Sequence, residues 1–201
     1  MKNTLIICAI FAVLTSCCCG SGDNSADRSE AVIETIMTRT SIRAFTDEPV
    51  SDEAVETLLR AGMAAPSAVN RQPWAFVVVK GRENLDRLAE VHPNARMLTT
   101  AQAAIVVCGD MTKAMEGAGQ AFWIQDASAA TENILLAAHA MGLGAVWTGV
   151  HPNPAVQPAV AEVLELPSYV IPLCVIPIGY PAENPAPKDK WKPENVHYNK
   201  W

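Results

Sequence analysis

One stretch constrains the fold more than any other. From about Ala121 to Met141 the sequence reads as a single helix of roughly five turns, ended by Gly142, which suits the position that closes a helix. Its inner part, Ala127 to Met141, is apolar nearly all round, with Glu132, Asn133 and His139 as exceptions. A helix of that kind must be covered on most of its sides. The chain has 201 residues, enough for one domain of ordinary size and not comfortably for two. In a domain this small, a helix so apolar predicts that part of its cover comes from a second subunit.

Shorter elements alternate around it. Ala31 to Met37 reads as a short helix. A better one follows Pro49: Ser51 can cap it, Asp52 and Glu53 suit its first turn, and Val55, Leu58, Leu59 and Gly62 share a face. Pro66 to Trp74 is a polar loop stiffened by two prolines. Phe76 to Val79 and Ala104 to Cys108 are short apolar strands, with Asn84 to Val91 helical between them. Ala145 to Val150 predicts a third strand and Ala155 to Leu164 a helix. Tyr169 to Ile178 predicts a strand at an edge or only partly paired, because Pro172 and Pro177 cannot donate to a ladder. Pro181 to Trp201 is polar, rich in Pro and Lys, and reads as an arm. The alternation predicts a layered α/β or α+β domain.

Composition narrows the function classes. Half the residues are hydrophobic and 18% are charged, a globular balance. Acids outnumber bases 21 to 15, for a net charge of −6, whereas a nucleic-acid binder shows the opposite sign. No apolar run reaches the ~20 residues that span a bilayer. The N-terminus carries a different message. Lys2 followed by an apolar core from Leu5 to Leu14 reads as a secretion signal over residues 1–16. Leu14-Thr15-Ser16-Cys17 resembles a bacterial lipobox, which implies acylation of Cys17 and a place in the cell envelope, with the lipid as the sole membrane contact. The alternative is plain cleavage near Ser16, leaving free thiols. Residues 17–29 then form a lipidated Cys and flexible tether, and residues 30–201 the folded domain. Cys17, Cys18 and Cys19 are contiguous and lack the spacing of a zinc site, and no metal site is expected. Cys108 and Cys174 sit in apolar runs and read as buried core thiols.

Four segments carry candidate chemistry. In extended backbone Arg39, Ser41 and Arg43 project to one face, offering two guanidiniums and a hydroxyl, a good surface for a phosphate. Solvated arginines paired with Glu34 or Asp47 are the competing explanation. In the loop, Ser67, Asn70 and Gln72 offer donors and acceptors that can match a ligand edge of alternating polarity such as a flavin's. Gly149 closes the segment Trp147-Thr148-Gly149 and allows close backbone approach. Lys188 and Lys190 put positive charge on the tail of an acidic protein. The histidines, His92, His139, His151 and His197, are scattered, so no catalytic side chain is named.

Taken in order, these segments resemble the FMN-dependent nitroreductase family from about Ala31 to Trp201. The resemblance also rests on Gln125-Asp126 leading through the long helix into Gly142-Leu143-Gly144, on Gly179-Tyr180-Pro181, and on the ending Val196 to Trp201. It implies an α+β fold, a three-layer α/β/α sandwich around a central mixed sheet, as an obligate homodimer with exchanged C-terminal arms and FMN at the interface. It implies Arg39, Ser41, Arg43, Lys188 and Lys190 on the phosphate and ribityl chain, and Ser67, Asn70 and Gln72 meeting the flavin partly from the other subunit. It implies Trp147, Thr148 and Gly149 beside the flavin ring. Lys190 stands where arginine is common, which gives a point charge in place of a fork. The activity implied is two-step hydride transfer, from NAD(P)H or another donor through FMN N5 to a nitro compound, quinone or similar flat acceptor. The alternative is a lipid-anchored flavin-binding or flavin-scavenging protein with little turnover.

Overall fold

A computed structural model describes residues 24–201. The signal sequence, Cys17 and the start of the tether lie outside the described residues.

Strand β2, Ala103–Asp110, is buried along its whole length. A strand covered on both faces needs a layer on each side, and its alternating side chains divide accordingly. Ala103, Ile105 and Val107 meet Val55 and Leu58 of helix α2 (Asp52–Met63) and Trp123, Ala127 and Ile134 of helix α4 (Phe122–Ala140). Ala104, Val106 and Cys108 meet Leu85 and Leu88 of helix α3 (Arg82–Val91), the 3-10 turn Pro93–Thr99, and Val156 and Val160 of helix α5 (Val156–Val163). The result is an α+β sandwich of three layers. Each fully buried Ile or Leu in it contributes about 1.5–3 kcal/mol.

The sheet has five strands: β1 (Trp74–Val79), β2, β5 (Val170–Gly179) and β3 (Gly144–Ala145) in that order, with β4 (Thr148–Gly149) also on β5. Every pairing among these strands is antiparallel, so within one chain the mixed sheet expected is an antiparallel one. β5 is not an edge strand. It is central but, as the alternative expectation had it, only partly paired on its β3–β4 side, and its prolines sit where a missing donor does least harm. Pro172 lies at a bulge opposite Cys108. Pro177 falls between the pairs Ala145↔Ile178 and Thr148↔Val175, where no donor to that side is needed. That gap also explains why the third strand, expected over Ala145 to Val150, is two short pieces.

The other elements follow local chemistry. Ser51 caps α2, its Oγ accepting from the Ala54 N–H at 3.1 Å. Gly142 ends α4 with φ +74°. Cys108 and Cys174 are buried free thiols, pushed up to about 12 by burial. Helix α1 (Asn24–Thr38) starts well ahead of the Ala31 expected and takes in part of the tether. It stands largely outside the core, exposing Val32, Ile33, Ile36 and Met37. The arm beyond Tyr180 is exposed throughout.

Candidate active site

The segment after α1 is pinned by its apolar residues. Ile42 and Phe45 are buried against Ala101, and the Ile42 N–H donates to the Ala145 carbonyl at 3.1 Å. Gly144 makes this contact possible, because an added Cβ there would lie 2.6 Å from Ile42 Cγ2. With Ile42 turned inward, Arg39, Ser41 and Arg43 line a cavity of about 620 Å³ together with Lys188, Asp189, Lys190 and Trp191 of the arm. Its size is that of a ligand pocket. Arg39, Arg43, Lys188 and Lys190 face two acids there, Glu132 and Asp189, so four bases against two leave a formal surplus of two positive charges. Arg39 pairs with neither Glu34 nor Asp47. Its Nε lies 3.6 Å from Glu132 Oε1 on α4, and its side chain is only 17% exposed. A guanidinium held by its Nε edge keeps its outer fork for an anion.

The loop from Pro66 to Trp74 does not line this cavity. It is tied internally. The Ser67 Oγ accepts from the Gln72 N–H at 3.0 Å, and Gln72 Nε2 donates to Asn70 Oδ1 at 3.0 Å. Asp126 on α4 holds the loop by accepting the Ala68 N–H at 2.8 Å. Val69, Asn70 and Gln72 all have positive φ, 44°, 56° and 49°. For a β-branched residue such as Val69 this conformation is strained, and such strain clusters at functional sites. Gln72 lines a second cavity of about 460 Å³ with Leu59, Met63, Arg71, Trp74, Ala75, Phe76 and Lys113.

The third group is Trp147 and the two residues of β4 that follow it. Thr148 is buried and its Oγ1 donates to the Val175 carbonyl at 2.7 Å. Gly149 is exposed, and an added Cβ would meet nothing within 4 Å. The packing of this chain does not require glycine there, whereas close approach of a bound molecule would. Trp147 packs half-buried against the α2–α4 side of the core. The structure therefore joins Arg39, Ser41, Arg43, Lys188 and Lys190 in one cavity and leaves Ser67, Asn70, Gln72, Trp147, Thr148 and Gly149 outside it.

The histidines hold structural posts. His139 Nε2 is 2.9 Å from Thr38 Oγ1, and His151 Nδ1 is 2.8 Å from Gln157 Oε1 while its ring edges Trp123. His92 is fully buried with no hydrogen-bond partner at either ring nitrogen. Burial pushes its imidazole below the ordinary range, against a weaker upward pull from the backbone of Thr148. Among the described residues no cluster of His, Cys, Asp and Glu could hold a metal ion. Sequence reasoning noted Glu132 and Asp126 without a role and missed Glu183 altogether, because what these carboxylates bond depends on chain crossings with no local signature.

The geometry has relatives. The family model described as Nitroreductase family matches residues 36–92 and 88–180. A protein of Methanothermobacter thermautotrophicus, provisionally named NADH dehydrogenase/NAD(P)H nitroreductase, is 47% identical over 171 residues, covering 85% of this chain and 87% of its own length. A crystal structure of a similarly named protein from Parabacteroides distasonis superposes with a TM-score of 0.80 at 48% identity, covering 85% of this chain and 98% of the other. The NADPH:FMN oxidoreductase of Vibrio harveyi, solved with NAD+, superposes at 0.77 with 31% identity, covering 85% and 78%. With matches of this extent along most of its length, the chain belongs to the nitroreductase family.

Proposed function

We propose that this chain is an FMN-dependent oxidoreductase that passes hydride from NAD(P)H to a nitro compound, quinone or similar flat acceptor, and that it works as a homodimer. One observation carries the reading: an acidic chain gathers Arg39, Arg43, Lys188 and Lys190 around a single cavity. Glu132 and Asp189 offset two of these charges, and a phosphate with nearly two negative charges matches the surplus of two that remains. FMN supplies the hydride chemistry when bound, and the protein supplies binding and orientation. Arg39 and Arg43 would hold its phosphate, with Lys188 and Lys190 adding positive charge, and Ser41 would serve the ribityl chain. The bare backbone at Gly149 would allow close approach of the ring. The similarity to an FMN reductase of Bacillus subtilis that uses NAD(P)H and to the NADPH:FMN oxidoreductase of Vibrio harveyi supports the cofactor and the donor.

The dimer is supported by what one chain leaves uncovered. Ser67, Asn70 and Gln72 lie outside the cavity and would reach the flavin of a second copy. The apolar face of α1 and the aromatic residues of the arm are exposed. We also propose that Cys17 is acylated and anchors the protein in the cell envelope, on the strength of Leu14-Thr15-Ser16-Cys17. Cys17→Ala should then abolish lipid labelling, and a variant still labelled on a neighbouring Cys would misplace the box.

The deciding experiment is a visible spectrum of the chain from Ser21 onward, before and after FMN, then with NADH or NADPH without oxygen. Flavin bands that bleach with donor and return with a quinone or nitroarene support the oxidoreductase. Bands that persist favour a flavin carrier. A protein that takes up no FMN refutes both.

A further inference from the structure

One carboxylate beside the cavity has no place in the flavin reading. Glu183 lies at the root of the arm and does not line the cavity. Its Oε1 accepts the backbone N–H of Arg43 and, at 3.1 Å, that of Ala44. The same short stretch is joined by backbone. The Thr46 N–H donates to the Tyr180 carbonyl at 2.9 Å, the Ala182 N–H donates to the Ala44 carbonyl at 2.9 Å, and Phe45 bridges Pro181. Among the described residues, no hydrogen bond from beyond Glu183 returns to the body of the chain. Glu183 is therefore the last bonded point before Lys188 and Lys190.

We propose that Glu183 is a positioning residue of the anion site. Its carboxylate latches the arm onto the backbone of Arg43 and Ala44, and so sets Lys188 and Lys190 against Arg39 and Arg43. The proposal rests on the flavin reading of the cavity. A negative charge beside a phosphate site is otherwise unfavourable. It is retained here because both donors are backbone N–H groups, and a carboxylate accepts them more strongly than a neutral oxygen does. The amide oxygen of Gln can accept the same two bonds, whereas Ala cannot.

The test compares the full chain with Glu183→Ala and Glu183→Gln. Trypsin cleavage of the arm, at its lysines, is followed without flavin, and FMN affinity is measured by fluorescence titration. Glu183→Ala should speed arm cleavage and weaken FMN binding, each by about tenfold or more, the loss expected for a hydrogen bond to a charged group. Glu183→Gln should restore most of both. A Glu183→Ala protein with unchanged arm cleavage overturns the latch. Faster cleavage with unchanged FMN affinity overturns its link to the anion site. Equal losses in the two variants overturn the acceptor role. A wild-type chain that takes up no FMN defeats the flavin reading instead, and arm cleavage alone then decides for or against the latch.

Discussion

The central sheet and the two ends of the chain are built on opposite terms. β2 and the inner part of β5 bury their side chains between helices of the same chain. Helix α1 and the arm do the reverse. They leave Val32, Ile33, Ile36 and Met37 open on the helix, and Trp191, Tyr198 and Trp201 on the arm. Single exposed apolar residues are ordinary, but contiguous ones mark a surface made to be covered. The anion cavity lies between these ends, lined by Ile36 and Met37 of α1, the segment after it, and the arm. The body supplies stability within one chain. The ends supply most of the cavity, and in the proposed dimer they gain their cover from a second copy.

The largest effect is expected in the body. Ile105 is fully buried in β2, and Ile105→Ala should cost about 2–5 kcal/mol of stability through lost burial and a residual cavity. That loss should be the same at low and high protein concentration. A loss that shrinks as the protein is concentrated would show that the core, too, depends on association. Next comes the cavity. Arg43→Ala should lower FMN affinity by about ten- to a hundredfold, a charge-assisted bond of roughly 1.5–3 kcal/mol. The flavin-free melting temperature should not move, because the Arg43 side chain is exposed. Unchanged affinity would remove Arg43 from the site.

A smaller effect separates the two regions by pH. Burial lowers the His92 imidazole from its ordinary value of 6.5. The folded protein then binds this proton less readily than the unfolded chain. The contribution is fully present above pH 6.5 and is lost as pH falls from there through the lowered folded value. The slope in that window is at most about 1.4 kcal/mol per pH unit. His92→Leu should flatten the acid limb of a stability profile measured from pH 7 to 5, while FMN affinity at pH 7 stays near wild type. A limb just as steep in the variant would assign it to another group.

How much of this was legible in the sequence depends on the range of the interaction that decides it. The Ser51 cap, the stop at Gly142, the buried run of β2 and the buried thiols of Cys108 and Cys174 were all readable, because each depends on neighbours along the chain. The facing of Arg39, Ser41 and Arg43 was readable for the same reason, through the two-residue period of extended backbone. Pro172 and Pro177 deny β5 donors, which predicts an edge strand or a partly paired one; the edge is wrong, but the partial pairing holds on the β3–β4 side. What rescues it is the bulge at Cys108 and the gap between β3 and β4, both features of other strands. The start of α1 was misread because Gly20 to Asp27 has the composition of a tether. The partner of Arg39 and the bonds of Glu183 lie far away in sequence, and no local pattern announces them. The placement of Ser67, Asn70 and Gln72 outside the cavity has no local signal either; only the family resemblance, which sets them partly on the other subunit's flavin, points to it.

The smallest effect is the sharpest test of the comparison. Trp201 is fully exposed, so within one chain its side chain touches nothing that its loss could unpack. Only His197 stacks near it, with ring centroids 4.1 Å apart, and that pair belongs to the arm itself. In dilute protein, where copies are apart, Trp201→Ala should change stability by no more than about 0.5 kcal/mol, as for an ordinary surface residue. An arm that exists to lie on a second copy predicts something more. As concentration rises the wild type should gain melting temperature by mass action, and the variant should gain less, because a buried Trp is the kind of residue that dominates an interface. Melting curves of both proteins over a hundredfold range of concentration would show the two lines diverge. Parallel lines would mean that Trp201 gains no cover from a second copy, and the contrast between a self-sufficient body and dependent ends would fail at the end of the arm.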